Sequence, residues 1–386
     1  MPVSSRDDLS LQDVSGLLGL PGIQVVRLAR EGGIPAEREG EIWRFPRQAV
    51  QQWIAGNRGH TRADGQPVDS DAPPAFNIVD SEDLDHYRAQ PGNWNVQVNQ
   101  LSKGSFRSCI RSLSLPGMVV YDNRWGCASL VRGQSPEGWL MMGGVVAPEQ
   151  GTLHWCGHRA DRQLFACTSE RKAISFSVED KAHDVVLLIA PELLRQTAGS
   201  EALDLMRHAQ HLDFGVAGAK LVDLSLSLVK QCESHALLLQ QPAIASRVRS
   251  ALLRVVEECF SAIFTHGHSG DSPDSRELAV HKAVEHVWQA SGPVSAWSMA
   301  QAAGVSQKTL ELAFRQALGM TPGKYLMLTR LNGAHHELAD AIRGQHTVTE
   351  VALRWGFSHI GRFSGAYRQL FGELPSQTLG QPCPRG

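Results

Sequence analysis

Two short segments near the C-terminus carry polar and basic side chains at helical spacing, and such side chains can contact nucleic acid. The candidate contact residues are Gln307, Lys308, Glu311, Leu312 and Arg315 in the first segment and His359, Arg362, Ser364 and Arg368 in the second. Lys and Arg can hydrogen-bond to guanine edges or phosphates, and Gln can pair with adenine. The second segment also contains Ile360, Gly361 and Gly365, which offer no side-chain hydrogen bond. We therefore expect the first segment to recognise bases and the second to anchor the phosphate backbone.

The two segments belong to an internal repeat. The pattern A-x-x-x-G-x-S begins at Ala300 and again at Ala352, 52 residues later. Beyond the turn, which has one extra residue in the second copy, the matched pairs are Leu310 and Phe363, Phe314 and Tyr367, Arg315 and Arg368, Gly319 and Gly372, and Pro322 and Pro375. A glycine just past a helix end adopts positive φ at little cost, and a serine oxygen can cap the next helix. Each copy is predicted to form a helix, a tight turn and a second helix, the second helices running from Ser306 to Leu318 and from Ser358 to Phe371.

A third helix is predicted between the two copies, from Pro322 to about Ala339. Proline suits the first turn of a helix, and Tyr325, Leu328 and Leu331 follow at the spacing of a buried face. About 18 residues at ~1.5 Å each give a rod of roughly 27 Å. This is close to the ~34 Å of one DNA turn, so the rod could present both second helices to successive major grooves.

These residues carry a family resemblance. The stretch from about Arg276 to Leu379 resembles the AraC/XylS transcription-regulator domain, and GFSHIGRFSGAYRQLFGELP is similar to the second helix-turn-helix signature of that family. The resemblance implies a unit of seven helices that inserts two recognition helices into adjacent major grooves. It also implies that double-stranded promoter DNA and RNA polymerase are the partners.

Leu9 to Ile54 form a second candidate module of a related kind. Two predicted helix faces, Leu11–Leu18 and Val25–Leu28, precede GGIPAEREGEIWRF, which predicts a β-hairpin with Glu39-Gly40 at its tip and a closing helix from Pro46. The module resembles the excisionase or MerR-like winged helix-turn-helix. That resemblance makes Arg27, Arg30, Arg38 and Arg44 candidates for DNA contact. The wing also carries Glu37, Glu39 and Glu41, which repel phosphates, so contact with a protein partner or a second copy is the alternative.

The middle of the chain is predicted to be a small-molecule sensor. Seven short β-rich runs between Phe76 and Pro191 predict an antiparallel sandwich or barrel. They resemble the cupin-like sensor half of AraC-type regulators related to the ethanolamine-operon activator. The resemblance implies an effector bound inside this domain and a homodimer formed by the helices that follow. Leu224, Leu228, Leu252 and Val256 are the dimer-face candidates, with simple core packing as the alternative for each. Trp125, Trp139 and Trp155 are the candidates to line an apolar effector pocket, with plain core packing as the alternative.

One set of side chains has the types and spacing of metal ligands. His154, Cys156 and His158 alternate along one predicted strand, so all three could face a metal ion. No distant carboxylate or other fourth ligand stands out in the sequence. A strand with Trp155 buried and the His residues solvated is therefore the simpler interpretation. The sequence also contains no Ser-His-Asp set, phosphate loop or paired-carboxylate motif. We therefore predict that the protein is not an enzyme and has no bound metal, no cofactor and no catalytic residue.

Composition and charge indicate which part of the chain could bind DNA and in which compartment the protein is found. The 386 residues carry a net charge of −2, yet residues 276–386 hold 11 basic and 7 acidic residues, the local positive excess that phosphate binding requires. The chain has no long apolar run and no signal peptide, and its seven cysteines lack a C-x-x-C pair, so a cytoplasmic protein with reduced thiols is predicted. The predicted segments are a winged module over 1–56, linker 57–75, β sensor 76–191, helical connector 192–265, linker 266–275 and double helix-turn-helix 276–386.

The predicted fold class is therefore multidomain α+β, with an N-terminal winged helix-turn-helix, a central cupin-like antiparallel β sensor with helices, and a C-terminal all-α double helix-turn-helix. The function predicted from the sequence is an effector-responsive transcription regulator that binds specific DNA, acting as an activator. Two alternatives stay open. One is a cupin-type metal-binding enzyme fused to DNA-binding modules, and the other is a scaffold whose helix-turn-helix modules bind proteins.

Overall fold

The computed structural model describes most of the chain from residue 73 onward and a smaller part before it. The described residues are 8–9, 14, 29, 34–39, 42–50, 73–82, 84, 94–134, 136, 138–146, 153–155, 158–160, 164–168, 174–209, 211–266, 275–290, 294–341 and 346–380. They divide into two compact units, one before residue 70 and one after it.

The N-terminal unit contains the predicted hairpin. Strands β1 (Asp8–Leu9), β2 (Glu37–Glu39) and β3 (Ile42–Pro46) form an antiparallel sheet in the order β1-β3-β2. Glu39 pairs with Ile42, so β2 and β3 form a hairpin. Phe45 and Val50 are fully buried, and residues 47–50 are helical as predicted. The hairpin is confirmed, whereas most of the predicted helix-turn-helix before it lies outside the described residues.

Two antiparallel sheets form the first part of the second unit. Their strands are β4 (Ala75–Ser81), β5 (Asn95–Gln100), β6 (Ser108–Leu115), β7 (Met118–Trp125), β8 (Ser129–Gln134), β9 (Leu140–Val145), β10 (Leu153–Trp155), β11 (His158–Ala160), β12 (Leu164–Thr168), β13 (Ile174–Val178), β14 (His183–Ile189) and β15 (His211–Asp213). One sheet has the order β11-β10-β13-β8-β5, and the other has the order β15-β12-β9-β14-β7-β6-β4. The predicted antiparallel β-domain is confirmed.

The alternation of side chains explains why the two sheets pack together. In β6 the burial pattern alternates, with Ile110 and Ser112 buried and Arg111 between them only partly so. Residues of the inner faces meet across the interface, for example Trp125 of β7 with Phe176 of β13, whose ring centroids lie 6.0 Å apart. Because alternate residues of a strand point to opposite faces, one face of each sheet contributes to a shared apolar core.

Three helices follow β14; the first two pack against the seven-stranded sheet, and the third packs against these two helices. They are α1 (Pro191–His208), α2 (Gly215–His235) and α3 (Pro242–His266), with a 3-10 turn at Ala236–Gln240. Residues 192–265 were predicted to be a helical connector region, and the structure adds strand β15, which pairs antiparallel with β12 at the sheet edge. Leu252 and Val256 are fully buried, so they belong to the core of the chain and not to a dimer face, whereas Leu224 and Leu228 are partly buried.

The last part of the described chain is entirely helical. Its seven helices are α4 (Ser275–Gln289), α5 (Ala296–Ala303), α6 (Gln307–Leu318), α7 (Pro322–Asp340), α8 (Val348–Arg354), α9 (Ile360–Phe371) and α10 (Pro375–Gly380). This agrees with the number of helices that the resemblance implied. Elsewhere in the described chain, Cys109, Cys127, Cys232 and Cys259 are free thiols. None of the helices that could be placed has the length and apolar character needed to cross a bilayer.

Candidate nucleic-acid interface

The first helix-turn-helix is formed by α5 and α6. Ser295 and Ser298 form a capping box at the start of α5, and Gly304 ends that helix with φ of 70°. Ser306 then caps α6, because its side-chain oxygen accepts a hydrogen bond from the backbone N–H of Thr309 at 3.1 Å. Leu310, Ala313 and Phe314 bury one face of α6, as predicted. The opposite face is left exposed.

The second helix-turn-helix, α8 and α9, follows the same plan with one difference. Thr347 and Glu350 form the capping box of α8, and Gly356 has φ of 79°. The helix α9 starts at Ile360, and its N-cap residue is His359, which makes no side-chain capping bond. The predicted cap at Ser358 was therefore wrong. The extra residue in this turn moves the helix start one residue further from the glycine than in the first copy.

The predicted contact residues lie on the exposed faces of these two helices. Gln307, Lys308, Glu311, Leu312 and Arg315 are exposed on α6, and His359, Arg362 and Arg368 are exposed at the start of α9 and along it, with Ser364 half-buried. Arg315 donates a hydrogen bond to Glu311 at 2.7 Å, so that carboxylate is paired with a cation and not directed alone at the solvent. Both helices end at glycines in the left-handed region, Gly319 and Gly372. The structure therefore places the five candidates of α6 on one exposed face of that helix, and it leaves three of the four second-segment candidates exposed.

The connecting helix α7 fixes the second helix-turn-helix through a close contact that the sequence did not indicate. A Cβ added to Gly333 would overlap the ring of Trp355, which lies at the end of α8. The Trp355 indole N–H donates to Glu337 Oε2 at 2.7 Å, and the same carboxylate forms an ion pair with Arg354. The absence of a side chain at Gly333 thus allows Trp355 to lie against α7.

A buried polar network joins α7 to α9 and α10. His335 Nδ1 is hydrogen-bonded to the Tyr367 hydroxyl at 2.7 Å, and that hydroxyl is 2.7 Å from Thr378 Oγ1. Thr378 also donates to Glu373 at 2.5 Å, and the His335 ring stacks on Phe371 with centroids 4.3 Å apart. Because a buried polar group is costly without a partner, this network fixes the position of α9 against α7.

The same helix α7 also covers the edge of the five-stranded sheet. Among the described strands, β5 pairs with β8 alone and lies at the edge of its sheet. Gln100 donates its backbone N–H to Asn332 Oδ1 at 2.7 Å and accepts from Asn332 Nδ2 at 2.9 Å. One turn along α7, His336 Nε2 is 3.1 Å from the carbonyl oxygen of Val98. Side chains of α7 therefore occupy hydrogen-bonding groups that a further strand would otherwise use.

A second contact holds the C-terminal end of α9 against the β-domain. The carbonyl oxygen of Leu370 accepts hydrogen bonds from Gln100 Nε2 at 2.8 Å and from the backbone N–H of Gly104 at 2.9 Å. Carbonyls in the last turn of a helix have no partner within the helix, so these bonds satisfy a group that otherwise needs water. The β-domain is thus bound to the second recognition helix as well as to α7.

Arg132 and His154 extend this contact to α4. Arg132 of β8 forms an ion pair with Glu285 at 3.3 Å, and its guanidinium lies 5.6 Å from the Trp288 ring centroid. His154 Nε2 lies 3.9 Å from Glu277 Oε1, and burial lowers the pKa of His154. Cys156 lies outside the described residues, and those residues contain no group of three or more potential ligands placed to hold a metal.

An apolar cavity lies between the two sheets of the β-domain. Trp155 lines it, together with residues from both sheets, among them Val131, Tyr121 and Phe176. Trp139 is buried but does not line the cavity. Trp125 does not line it either, but it contacts the lining residues Asp184 and Phe176. One of the three predicted tryptophans therefore lines the cavity directly, and Trp94, which was not predicted, lines it as well.

The N-terminal candidates are less fully described. Arg27 and Arg30 lie outside the described residues, Arg38 lies on β2, and Arg44 is half-buried on β3. Their contact with DNA stays a prediction.

Comparison with known proteins agrees with this geometry. Residues 299–381 match a family of helix-turn-helix domains. The protein named "Probable thc operon regulatory protein", from Rhodococcus erythropolis, is 29% identical over 240 residues, which are 61% of this chain and 69% of that protein. The XylDLEGF operon transcriptional activator of Pseudomonas putida is 39% identical over 88 residues, which are 23% of this chain and only 27% of that activator.

A solved structure is also similar to part of this chain. It is a transcriptional regulator with an AraC-type DNA-binding domain from Chromobacterium violaceum, 32% identical, with a TM-score of 0.24, covering 27% of this chain and 90% of that one. The repeated turns and the exposed polar faces of α6 and α9 lie within residues 299–381, which match the helix-turn-helix family. The chain belongs to the AraC family of DNA-binding transcriptional regulators.

Proposed function

We propose that this regulator is an effector-responsive transcriptional activator that recognises promoter DNA mainly through α6. The observation that carries the proposal is the difference between the exposed faces of the two recognition helices. On α6, Gln307, Lys308 and Arg315 offer donors that suit purine edges. On α9, Gly361 and Gly365 leave a bare backbone, so the flanking Arg362 and Arg368 contact phosphates.

The geometry of α7 supports simultaneous binding of both recognition helices. Its 19 residues correspond to about 28 Å at ~1.5 Å per residue, near the ~34 Å repeat of the major groove. Trp355 and the His335 network hold the second helix-turn-helix against this rod. A rigid rod limits the number of relative orientations, so less conformational freedom is lost when both helices bind.

The contacts between β5 and α7 provide a route from the sensor to the DNA-binding helices. Val96 of β5 lines the cavity, and Val98 and Gln100 of the same strand hydrogen-bond to α7. A ligand that changes the position of β5 changes those hydrogen bonds. A ligand can shift such an equilibrium only by its difference in affinity for the two arrangements, and these contacts are where that difference would act.

Other parts of the proposal concern partners. A homodimer would use helix α2, on which Leu224 and Leu228 are partly buried and Val216 is exposed. The hairpin Glu37–Pro46 is consistent with the wing of an excisionase or MerR-like module, which would contact DNA or a protein partner. The sandwich around the cavity would be the cupin-like sensor, and RNA polymerase would be contacted by the promoter-bound protein.

The two rival functions make different demands. A metal-dependent enzyme would retain metal at His154, Cys156 and His158, and His154 lies beside Glu277 of α4. If the helix-turn-helix modules of a scaffold bind proteins instead, any affinity for DNA would not fall steeply as salt rises. Phosphate contacts, by contrast, release counterions, so affinity falls steeply as salt rises.

The proposal is tested by selecting sequences from a randomised duplex pool with the full chain, then measuring affinity for the selected site from 50 to 300 mM salt. We expect one enriched motif with two half-sites about one helical turn apart. Arg195→Ala, an exposed charge change in α1, is the control and leaves the motif and affinity unchanged. Failure to enrich any motif, or affinity that does not depend on salt, would refute specific DNA binding through these helices.

A further inference from the structure

The wall of the β-domain cavity contains one carboxylate, Asp184, in a largely apolar lining. Asp184 lies on the inner face of β14 and is 3% exposed. Its two oxygens accept hydrogen bonds from Asn123 Nδ2 at 2.8 Å and from Trp125 Nε1 at 2.7 Å. Each carboxylate oxygen can accept more than one hydrogen bond, so capacity remains for a further donor.

The cavity lining provides no cation to pair with this carboxylate. The lining residues in the described part of the chain include no Lys, Arg or His. The neighbouring charged residues Asp122 and His183 are adjacent to Asn123 and Asp184 along their strands, so they project to the opposite face of the sheet. There Asp122 pairs with His183, Arg111 and Arg124. Asp184 therefore faces the interior while the cations face outward.

Aromatic rings surround the same space. Trp94, Tyr121, Trp155 and Phe176 all line the cavity. Trp94 meets Tyr121 edge to face with centroids 5.6 Å apart, and Trp155 stacks on Phe176 at 5.6 Å. The faces of aromatic rings attract cations, and groups of such rings recognise ammonium ions in proteins. A further polar group is present, because the buried indole N–H of Trp155 has no hydrogen-bond partner and can donate to an acceptor on a ligand.

We propose that this cavity binds an organic ammonium ion with an apolar or aromatic body, and that Asp184 is the counter-ion of the ammonium group. The inference rests on the proposed function, in which an effector binds inside the β-domain, and it specifies the chemical class of that effector. Buried charges are stable only when they are paired and hydrogen-bonded, so an ammonium group is the ligand group that this carboxylate favours. An anionic ligand would be repelled.

Ligand entry requires the cavity to expand. Its volume is about 20 Å³, little more than the space for one water. Met141 lines the cavity and has an unbranched, flexible side chain that can change rotamer. Val96 lines the cavity from the opposite sheet. It lies on β5, the strand that forms the hydrogen bonds to α7. Expansion therefore acts on the strand that contacts the DNA-binding helices.

The test compares three ligands that share one skeleton and differ in charge: 2-phenylethylamine, 2-phenylethanol and phenylacetate. Binding to the full chain is measured by titration calorimetry at pH 7.5, with the thermal midpoint as a second readout. We expect the amine to bind at least tenfold more tightly than the alcohol, and phenylacetate not to bind. Asp184→Asn should lower the affinity for the amine at least tenfold and leave that for the alcohol unchanged.

A second measurement does not depend on how well that variant folds. In the wild-type chain the affinity for the amine should fall below about pH 6, where Asp184 becomes protonated, while the affinity for the alcohol stays constant. The proposal is wrong if phenylacetate binds as tightly as the amine, if no amine binding is detected, or if Asp184→Asn binds the amine normally. DNA binding is measured on the same samples, so a chain that binds its DNA site and no amine contradicts only the ligand assignment.

Discussion

The side-chain amide of Asn332 forms both hydrogen bonds that a neighbouring strand would form with Gln100, although the two residues are 232 positions apart. Asn332 is fully buried, and it also donates to the carbonyl of Leu328 within α7. One residue thus joins the edge of the five-stranded sheet to the helix between the two helix-turn-helix motifs. It is one of several contacts between the β-domain and the helical domain, which belong to one compact unit.

Replacing Asn332 with Leu should destabilise this unit. The change removes both hydrogen bonds and leaves a buried N–H and a buried C=O of Gln100 without partners, at a cost of about 1–3 kcal/mol for each group. We expect the free energy of unfolding, measured by urea denaturation, to fall by at least about 2 kcal/mol. Met327→Ala, at an exposed position of the same helix, is the matched control. An unchanged denaturation midpoint for Asn332→Leu would show that the pair contributes nothing.

Gly333→Ala should displace the second helix-turn-helix while leaving the first intact. The new methyl group would overlap the Trp355 ring, so the ring and α8 must move away from α7. Ala is a better helix former than Gly by about 1 kcal/mol, so a loss of stability here can come only from the lost packing. We expect a lower thermal midpoint and weaker DNA binding. The control is Gly323→Ala in the same helix, which meets nothing within 4 Å and should raise stability. If Gly333→Ala raises the thermal midpoint as the control does, and DNA binding is unchanged, the movement of Trp355 costs no stability.

Some features could be predicted from the sequence because they repeat or depend on local chemistry. The turns at Gly304 and Gly356 appear in two aligned copies, and both adopt the positive φ that their positions indicated. The contacts of Asn332 and Gly333 could not be predicted, because neither residue departs from an ordinary helical pattern and each partner is distant in sequence or in a separate helix. Strand β15 was missed because three residues are too short to show an alternating pattern.

The cavity was predicted in kind but not in detail. Trp155 lines it as predicted, whereas Trp139 packs elsewhere in the core. Asp184 lies in a β-rich run that gave no sign of whether its side chain faces the interior or the solvent. That orientation depends on the register of β14 with β7, in which Asp184 pairs with Asn123. A shift of one residue would have placed the carboxylate on the outer face.

The two recognition helices should respond differently to loss of charge. We expect Lys308→Ala or Gln307→Ala to relax the sequence preference, because these exposed residues of α6 are proposed to contact base edges. Arg368→Ala should weaken binding to all sequences about equally and lower the salt dependence by about one phosphate contact. Selection from a randomised DNA pool distinguishes the two effects. A changed motif for Arg368→Ala with an unchanged motif for Lys308→Ala would reverse the roles.

Asp184 should make stability depend on pH. Burial raises the pKa of this carboxyl from 3.8 to about 6, against hydrogen bonds from Asn123 and Trp125 and the attraction of His183, and Asp122 raises it further. As pH rises from about 4 to about 6, the unfolded chain releases the proton that the folded chain still holds, so stability falls over that range. Two pKa units correspond to at most about 3 kcal/mol. The measured quantity is the unfolding free energy of the wild type minus that of Asp184→Asn, which should decrease between pH 4 and pH 6 and then stay level. A difference that is constant over this range would mean that the folded-state pKa is ordinary.

Substitutions at Gly361 and Gly365 should separate an effect on stability from an effect on DNA binding. Both lie in α9, both are exposed, and a Cβ at either position would meet nothing within 4 Å. Glycine in a helix interior costs about 1 kcal/mol relative to alanine, so alanine at these two positions should make α9 more stable. We propose that the bare backbone lets α9 lie close to the DNA, and that an added methyl group at either site would hold it away. Gly361→Ala and Gly365→Ala should therefore each raise the thermal midpoint and each weaken DNA binding, with Gly323→Ala in α7 raising stability alone. Variants that are more stable and bind the selected site with full affinity would show that α9 does not approach the duplex through this face.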